Sequence, residues 1–378
     1  MNKYFKFSLV IAWFTIIVVI FSNNILHVFG DSISTEKRVL ATCPTVEKAT
    51  DARPKDYLRQ LKNYPGDFDK CFNDHFSFRN NLVSLVNLTK IKVFNTSPVG
   101  NIEIGKDGWY FYNTPGMKNT YDGSVRYSEN DKLKINEVLD KRTAFLKNLG
   151  IDYTLMVAPD KLTMYPEKLP PTYKKFSSET ALDDYSGILD STKNLNFVNL
   201  KPFLEEEKKS GDIFFKTDSH WNSKGALKAY EQLVHIYQDN PKIKFQQIST
   251  TNAVKRNYAG DLSYFMNTLD YIYDADQTYF LTSTNTATRI VENLQYTMLD
   301  GHKVEYEKWE NSNKTLPKLV LIGDSFTDAM RKWLAENFSE VNYYKNTNGF
   351  AYQEISKDKP DLVLQIFNEA QLVNVPNE

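Results

Sequence analysis

The 378-residue chain predicts an α/β fold: a parallel sheet flanked by helices, with a β-rich insertion and an N-terminal membrane helix. Three observations carry this expectation. Three short apolar runs, Asp152–Val157, Leu319–Ile322 and Asp361–Phe367, each follow a helical segment or a Pro/Gly break, as buried parallel strands do. Segments with apolar residues at helical spacing, Asp131–Leu149, Gly225–Tyr237 and Asp328–Asn337, alternate with those runs. At the N-terminus an unbroken apolar run, Phe7–Phe21, stands behind Lys3 and Lys6.

Taken in order, residues 1–30 predict a membrane anchor or a signal peptide. The run itself, at about 1.5 Å per residue, falls short of a bilayer core of about 30 Å, but extension to Phe29 spans it. Val28 and Gly30 are small enough for a cleavage site before Asp31, yet no Ala-x-Ala is present, so an uncleaved anchor is the expectation. Lys3 and Lys6 stay inside the cell and the rest of the chain lies outside. The protein is thus expected at the cell membrane as a single-pass protein, or secreted if the segment is cleaved. Residues 31–66 are polar, of mixed charge and without apolar period, and predict a linker or stalk. Residues 67–378 predict one α/β domain. It opens with Phe72, Phe76, Leu82, Leu85 and Val86 at helical spacing, on a helix where His75 sits among core phenylalanines. Asn101–Asn113 alternates like a hairpin about an Asp107-Gly108 turn, and short alternating runs over residues 275–312 predict inserted β-hairpins. Export permits a Cys43–Cys71 disulfide; two free thiols are the alternative.

Composition removes whole classes. With 46 Lys+Arg against 47 Asp+Glu, the net charge of −1 lacks the basic excess of a dedicated nucleic-acid binder. Two cysteines exclude a cysteine-based zinc scaffold. His27, His75, His220, His235 and His302 contain no pair at helical metal-ligand spacing, so neither a metal site nor a cofactor is expected. The 14% aromatic content serves cores and sugar stacking alike.

Two segments hold the chemistry. In Leu319–Leu334 a strand ends at Ile322, Gly323-Asp324 turns, and a helix begins near Phe326. Ser325 is thereby set at the C-terminal edge of a parallel sheet and at a helix N-terminus, where backbone N–H groups can receive an oxyanion. A helix N-cap is the alternative role for that hydroxyl. In Phe214–Leu233, Asp218 and His220 lie two apart, which in an extended segment points both to one side. The carboxylate would fix the imidazole tautomer and stabilise an imidazolium; a solvated turn is the alternative. Asn222 or Ser223 then caps the following helix. Around these, Trp221 and Tyr165 are candidate sugar-stacking faces or core residues. Lys161, at a strand end, is a candidate to bind an acidic sugar or bias the site's potential, or to form a structural ion pair.

The segments together resemble the SGNH-hydrolase-like polysaccharide O-acetyltransferases of the alginate type (AlgX/AlgJ) and the related DHHW family. The marks are Asn73–Arg79 (NDHFSFR), Ile104–Tyr112 (IGKDGWYFY), Val157–Pro170, Thr217–Ala226 (TDSHW and KGA), Gly260–Leu262 (GDL) and Gly323–Phe326 (GDSF). The resemblance implies an SGNH-type α/β domain and a triad of Ser325 as nucleophile, His220 as general base and Asp218 as its orienter. The oxyanion would be held by the Ser325 N–H with help from around Gly260 or Asn368, the latter also a candidate N-cap. The final strand departs from the family pattern at Phe367–Leu372 (FNEAQL). The implied partners are a polysaccharide or cell-wall glycan as acceptor and a membrane-bound O-acyltransferase as acetyl supplier. A carbohydrate acetylesterase, or a non-catalytic glycan-binding protein of the same fold, would carry many of the same marks.

Overall fold

Eleven strands appear in the computed structural model, which describes residues 3–26, 39–45, 54–189, 195–281, 287–345 and 350–374. They are β1 (Ile102–Ile104), β2 (Tyr110–Tyr112), β3 (Asp152–Ala158), β4 (Asn196–Asn199), β5 (Ile248–Tyr258), β6 (Asp274–Leu281), β7 (Ala287–Thr297), β8 (Lys303–Asn311), β9 (Lys318–Gly323), β10 (Glu340–Lys345) and β11 (Leu362–Asn368). The chain divides into two units, Met1–Val99 with Ser263–Tyr271, and Gly100–Leu262 with Ile272–Glu378.

The second unit is built on a seven-stranded sheet in the order β4-β3-β11-β9-β10-β8-β7. The first five are mutually parallel; β8 and β7 join antiparallel on the β10 edge. The central strands are apolar throughout because both faces are covered. Leu319 and Leu321 enter one core, Val320 and Ile322 the other, as the two-residue strand period requires. The first core is closed by α9 (Ser223–Ile236) through Ala226, Tyr230 and Leu233. The second is closed by α5 (Glu129–Asn148) and α7 (Ala181–Leu189) through Ile135, Leu139, Leu182 and Tyr185. Helix α5 starts at a capping box between Ser128 and Asp131, which satisfies two of its otherwise orphaned N–H groups. The expected β-rich insertion is part of the main sheet: β7–β8 extends it, while β5–β6 forms a separate two-stranded ribbon. The Asp107-Gly108 turn joins β1 and β2, with both residues at positive φ (57° and 79°).

The first unit contains α1 (Lys3–Leu26), α2 (Pro54–His75) and α3 (Arg79–Lys92). The expected membrane helix is helical, but counted over the described residues no helix is long and apolar enough to cross a membrane. The proposed cleavage site at Val28 and Gly30 lies outside the described residues. The expected boundary at residue 67 falls inside α2, which continues through Pro65. Tyr64, Phe68, Phe72 and Phe76 recur every four residues and stack along α2 with ring centroids 6.1–6.4 Å apart. Phe72 and Phe76, expected as core residues around His75, are half-buried, while Phe68 is 50% exposed.

Cys43 and Cys71 are disulfide-bonded, and Asp74 accepts the Ala41 N–H at 2.8 Å. The bridge closes a loop spanning 28 residues, so Cys71→Ser should destabilise this unit by about 3 kcal/mol. The loss should appear in thermal melts and as faster amide exchange over residues 39–45. Unchanged exchange there would show that the bridge constrains nothing.

Candidate active site

The C-terminal edge of the central sheet gathers three chain segments. In register, Gly323 at the end of β9 lies opposite Ile366 of β11, and Asn368 of β11 lies opposite Ala158 of β3. A Cβ at Gly323 would stand 2.1 Å from the Ile366 carbonyl oxygen, so only glycine lets the two strands close here. The chain then turns into a single 3₁₀ turn, Ser325–Thr327. Asp324, not Ser325, caps it. Its Oδ1 accepts the Phe326 N–H at 2.9 Å and its Oδ2 the Asn368 N–H at 2.8 Å. The serine hydroxyl is left for another partner.

That partner comes from the segment before α9. Phe214 and Trp221 form an isolated antiparallel bridge, and the Phe215 N–H donates to the His220 carbonyl, so the intervening residues make a tight turn. The extended geometry expected for Asp218 and His220 is replaced by an Asx-type turn, in which Asp218 Oδ1 accepts the His220 N–H at 2.9 Å. The same oxygen lies 2.6 Å from His220 Nδ1, and His220 Nε2 lies 2.7 Å from Ser325 Oγ. The Phe326 ring packs 5.2 Å from the imidazole and 5.1 Å from Trp221. Ser325, His220 and Asp218 are thus brought into one hydrogen-bonded chain.

Asp218 is held from every side. Its Oδ2 accepts the Tyr258 hydroxyl and the Asp261 N–H, both at 2.9 Å. Asp261 accepts the Ser219 N–H at 2.8 Å and hydroxyl at 2.6 Å, and its Oδ2 stands 3.7 Å from His220 Nδ1. Neither Asp261 nor Tyr258 was singled out from the sequence; the Gly-Asp-Leu triplet was the available signal. Gly260 sits beside this carboxylate cluster. A Cβ there would lie 2.2 Å from the Thr217 carbonyl oxygen, so its glycine lets the Asp261 loop close on Asp218.

Other expected residues also change role. Lys161 is 3% exposed, and its ammonium donates to the carbonyls of Tyr110, Lys216 and Asp218 over the rings of Trp109 and Phe111. It faces neither a sugar nor an ion-pair partner; it fixes the backbone beneath Asp218. Lys161→Met leaves those carbonyls buried without their donor, so it should cost about 3 kcal/mol in urea denaturation. A loss under about 0.5 kcal/mol would show that the carbonyls find other donors. Trp221 and Tyr165 are each 1% exposed, the latter packed 4.0 Å from Trp109 with its hydroxyl accepting the Ile213 N–H. Neither offers a stacking face. Asn368 Oδ1 accepts the Ala370 N–H, as a cap does, and its side chain favours the charged form of the neighbouring Asp160 carboxyl.

Burial opposes charge on His220, but Asp218, Asp261 and Asp324 outweigh it and raise its pKa to about 9. Burial likewise works against the Asp218 charge, yet the His220 bond holds its carboxyl well below the usual range. Burial pushes Asp324 and Asp160 up to about 6 and Glu369 up to about 7, and lowers Lys161 to about 7. Among the described residues, Asp218, His220 and Asp261 offer ligand atoms within 4.8 Å of one another, close enough to hold a cation. The His220 Nδ1 contact with Asp218 suits the set better to proton handling. The three line a cleft of about 360 Å³ together with Ser325, Tyr258 and Arg256.

A three-layer α/β/α domain with this Ser-His-Asp chain at its sheet edge has the architecture of an SGNH-hydrolase-like protein. Residues 102–353 match the family described as SGNH hydrolase-like domain, acetyltransferase AlgX, and the chain belongs to that family. It is similar to the "Probable alginate O-acetylase AlgJ" of Pseudomonas syringae pv. tomato, 25% identical over 206 residues, 52% of this chain and 48% of the relative. The protein of the same description in Pseudomonas aeruginosa is 24% identical over 176 residues, 46% and 42% of the two chains. The chain spans about half the length of the curated relatives it matches. The solved structure of Bacillus cereus PatB1 with a sulfonyl adduct is similar at a TM-score of 0.54 and 16% identity, over 72% of this chain and 97% of that one. At that identity the likeness shows the fold alone.

Proposed function

We propose that the protein is an O-acetyltransferase that moves acetyl groups to hydroxyls of an exopolysaccharide or cell-wall glycan through an acetyl-serine. The observation that carries this is the chain from Asp218 through His220 to Ser325, with bonds of 2.6 and 2.7 Å. His220 Nε2 takes the Ser325 proton as Oγ attacks the acetyl carbonyl. The tetrahedral oxyanion would be received by the Ser325 N–H, with the side-chain amide of Asn368 as a second donor. Its collapse breaks the bond to the donor's leaving group, which takes the proton from His220. A glycan hydroxyl then gives its proton to His220, attacks the acetyl-serine and leaves acetylated, and the proton returns to Ser325. Asp218 orients the imidazole and stabilises its charged form throughout.

Membership in the AlgX family and the AlgJ likeness support acetyl transfer to a polysaccharide. We place the domain outside the cytoplasm, tethered by α1, whose Phe7, Val10, Ile11, Trp13 and Phe14 are exposed apolar residues. A membrane-bound O-acyltransferase would be the supplier of acetyl groups, since a tether raises the effective concentration of the two partners. The test is intact-mass analysis of the protein after incubation with an activated acetyl ester, with and without glycan oligosaccharides. An acetyl-sized adduct on Ser325 that passes to the oligosaccharide is expected. An adduct that only hydrolyses, across a broad set of acceptors, would make the protein an esterase; no Ser325-dependent adduct would end the proposal.

A further inference from the structure

The Ser325 cleft does not stop at the serine. A second cavity of about 420 Å³ adjoins it, and the two share Ser223, Arg256, Asp328 and Ala329 in their walls. Beyond Arg256 the second cavity runs between β6 and α11 (Arg331–Ala335), past Tyr279, Phe280 and Trp333. Phe280 is 44% exposed. The Trp333 indole N–H donates to the Tyr279 carbonyl at 3.3 Å and ties the two walls together.

The charges along this path decide what fits it. Arg256 gives both Nε and Nη2 to Asp276, at 2.9 and 2.7 Å, with its guanidinium over the Tyr258 ring, so its charge is already matched. Of the carboxylates, Asp218 bonds to His220 and Asp328 pairs with Arg331 at 3.0 Å; Asp261 and Glu336 are the further acidic groups of the two walls, and Lys332 is the further cation. A polyuronate would bring one further carboxylate per sugar into a path whose acidic groups outnumber its unmatched bases. A ligand with apolar ring faces and hydroxyls, but no carboxylates, meets the aromatic walls without that penalty.

We propose that this groove seats the acceptor chain beyond the acetylated sugar, and that the acceptor is a glycan without carboxylates. The proposal rests on the acetyl-transfer function above, and binding can be read separately from turnover. The full chain carrying Ser325→Ala is titrated calorimetrically with a β-1,4-linked N-acetylglucosamine tetramer and with a uronic acid tetramer. The neutral tetramer should bind at least about tenfold more tightly, and the gap should narrow as salt rises. Adding Phe280→Ala, at an exposed position, should weaken neutral binding by about tenfold, and Asp328→Asn should improve uronate binding. Equal or tighter uronate binding, a Phe280→Ala effect within about twofold, or no binding of either tetramer into the millimolar range overturns the proposal. If the wild type binds the neutral tetramer yet forms no acetyl-serine, the groove stands and the catalytic proposal falls. If acetyl-serine forms but the groove variants leave oligosaccharide binding unchanged, the groove falls alone.

Discussion

Ser325→Ala is expected to remove the acetyl adduct and to lower transfer from an activated ester by roughly 10⁴- to 10⁶-fold. The size follows from geometry. Asp324 supplies the cap at this turn, so the serine hydroxyl has no structural bond to lose beyond the one to His220. Alanine removes the atom that must attack while the turn, the Asp324 cap and the Gly323 approach to Ile366 all remain. His220→Ala should fall by a similar factor, and the double variant should be no worse than either, because the two groups act as one unit. Stability provides the control: the melting temperature of Ser325→Ala should match the wild type. A variant that keeps within about tenfold of wild-type transfer would show that the acetyl group never rests on this oxygen.

Much of this site was legible in the sequence, for reasons specific to its parts. Strands β3, β9 and β11 read as continuous apolar runs because the sheet is covered on both faces, and their bounds moved by only a residue or so. Ser325, Asp218 and His220 stand in short motifs whose spacing is fixed by the turns that present them. What was not legible depended on where a side chain points after folding. Trp221 and Tyr165 have the residue type of a sugar platform, but residue type does not report the face, and both are core. Lys161 reads as a surface cation until three carbonyls 50 or more residues away close over it. Asp261 reaches Asp218 across 43 positions, a distance no local pattern encodes. Residues 31–66 read as a linker because they lack an apolar period, yet α2 starts at Pro54 and runs through Pro65, its stacked ring ladder extending to either side of that proline.

Asp218→Asn is expected to lower kcat by about 10⁴-fold and to lower the melting temperature as well, since one of the two oxygens that accept from His220, Tyr258 and Asp261 is lost in a buried place. An asparagine amide can donate to His220 Nδ1, which would place the imidazole proton on Nε2 and face Ser325 with a donor where an acceptor is needed. Asp261→Asn separates orientation from charge. It keeps the backbone N–H that bonds Asp218 and an oxygen for Ser219, but removes a negative charge 3.7 Å from Nδ1. The sign follows from which state does the work. His220 must be neutral to accept the Ser325 proton, whereas Asp218, Asp261 and Asp324 all favour its charged form and hold its pKa near 9. Deleting one of those charges lowers that pKa, so the acid limb of the kcat/KM profile should move to lower pH in Asp261→Asn. The other facing groups stay in place: Asp160 and Asp328 also act on the ring, and Lys161 holds the Asp218 carbonyl. Asp261 is then a positioning residue with an electrostatic reach, acting through His220 without touching the substrate. If kcat falls while the acid limb stays fixed, its carboxylate serves only to clamp Ser219, and the tuning of His220 belongs to Asp218 and Asp324.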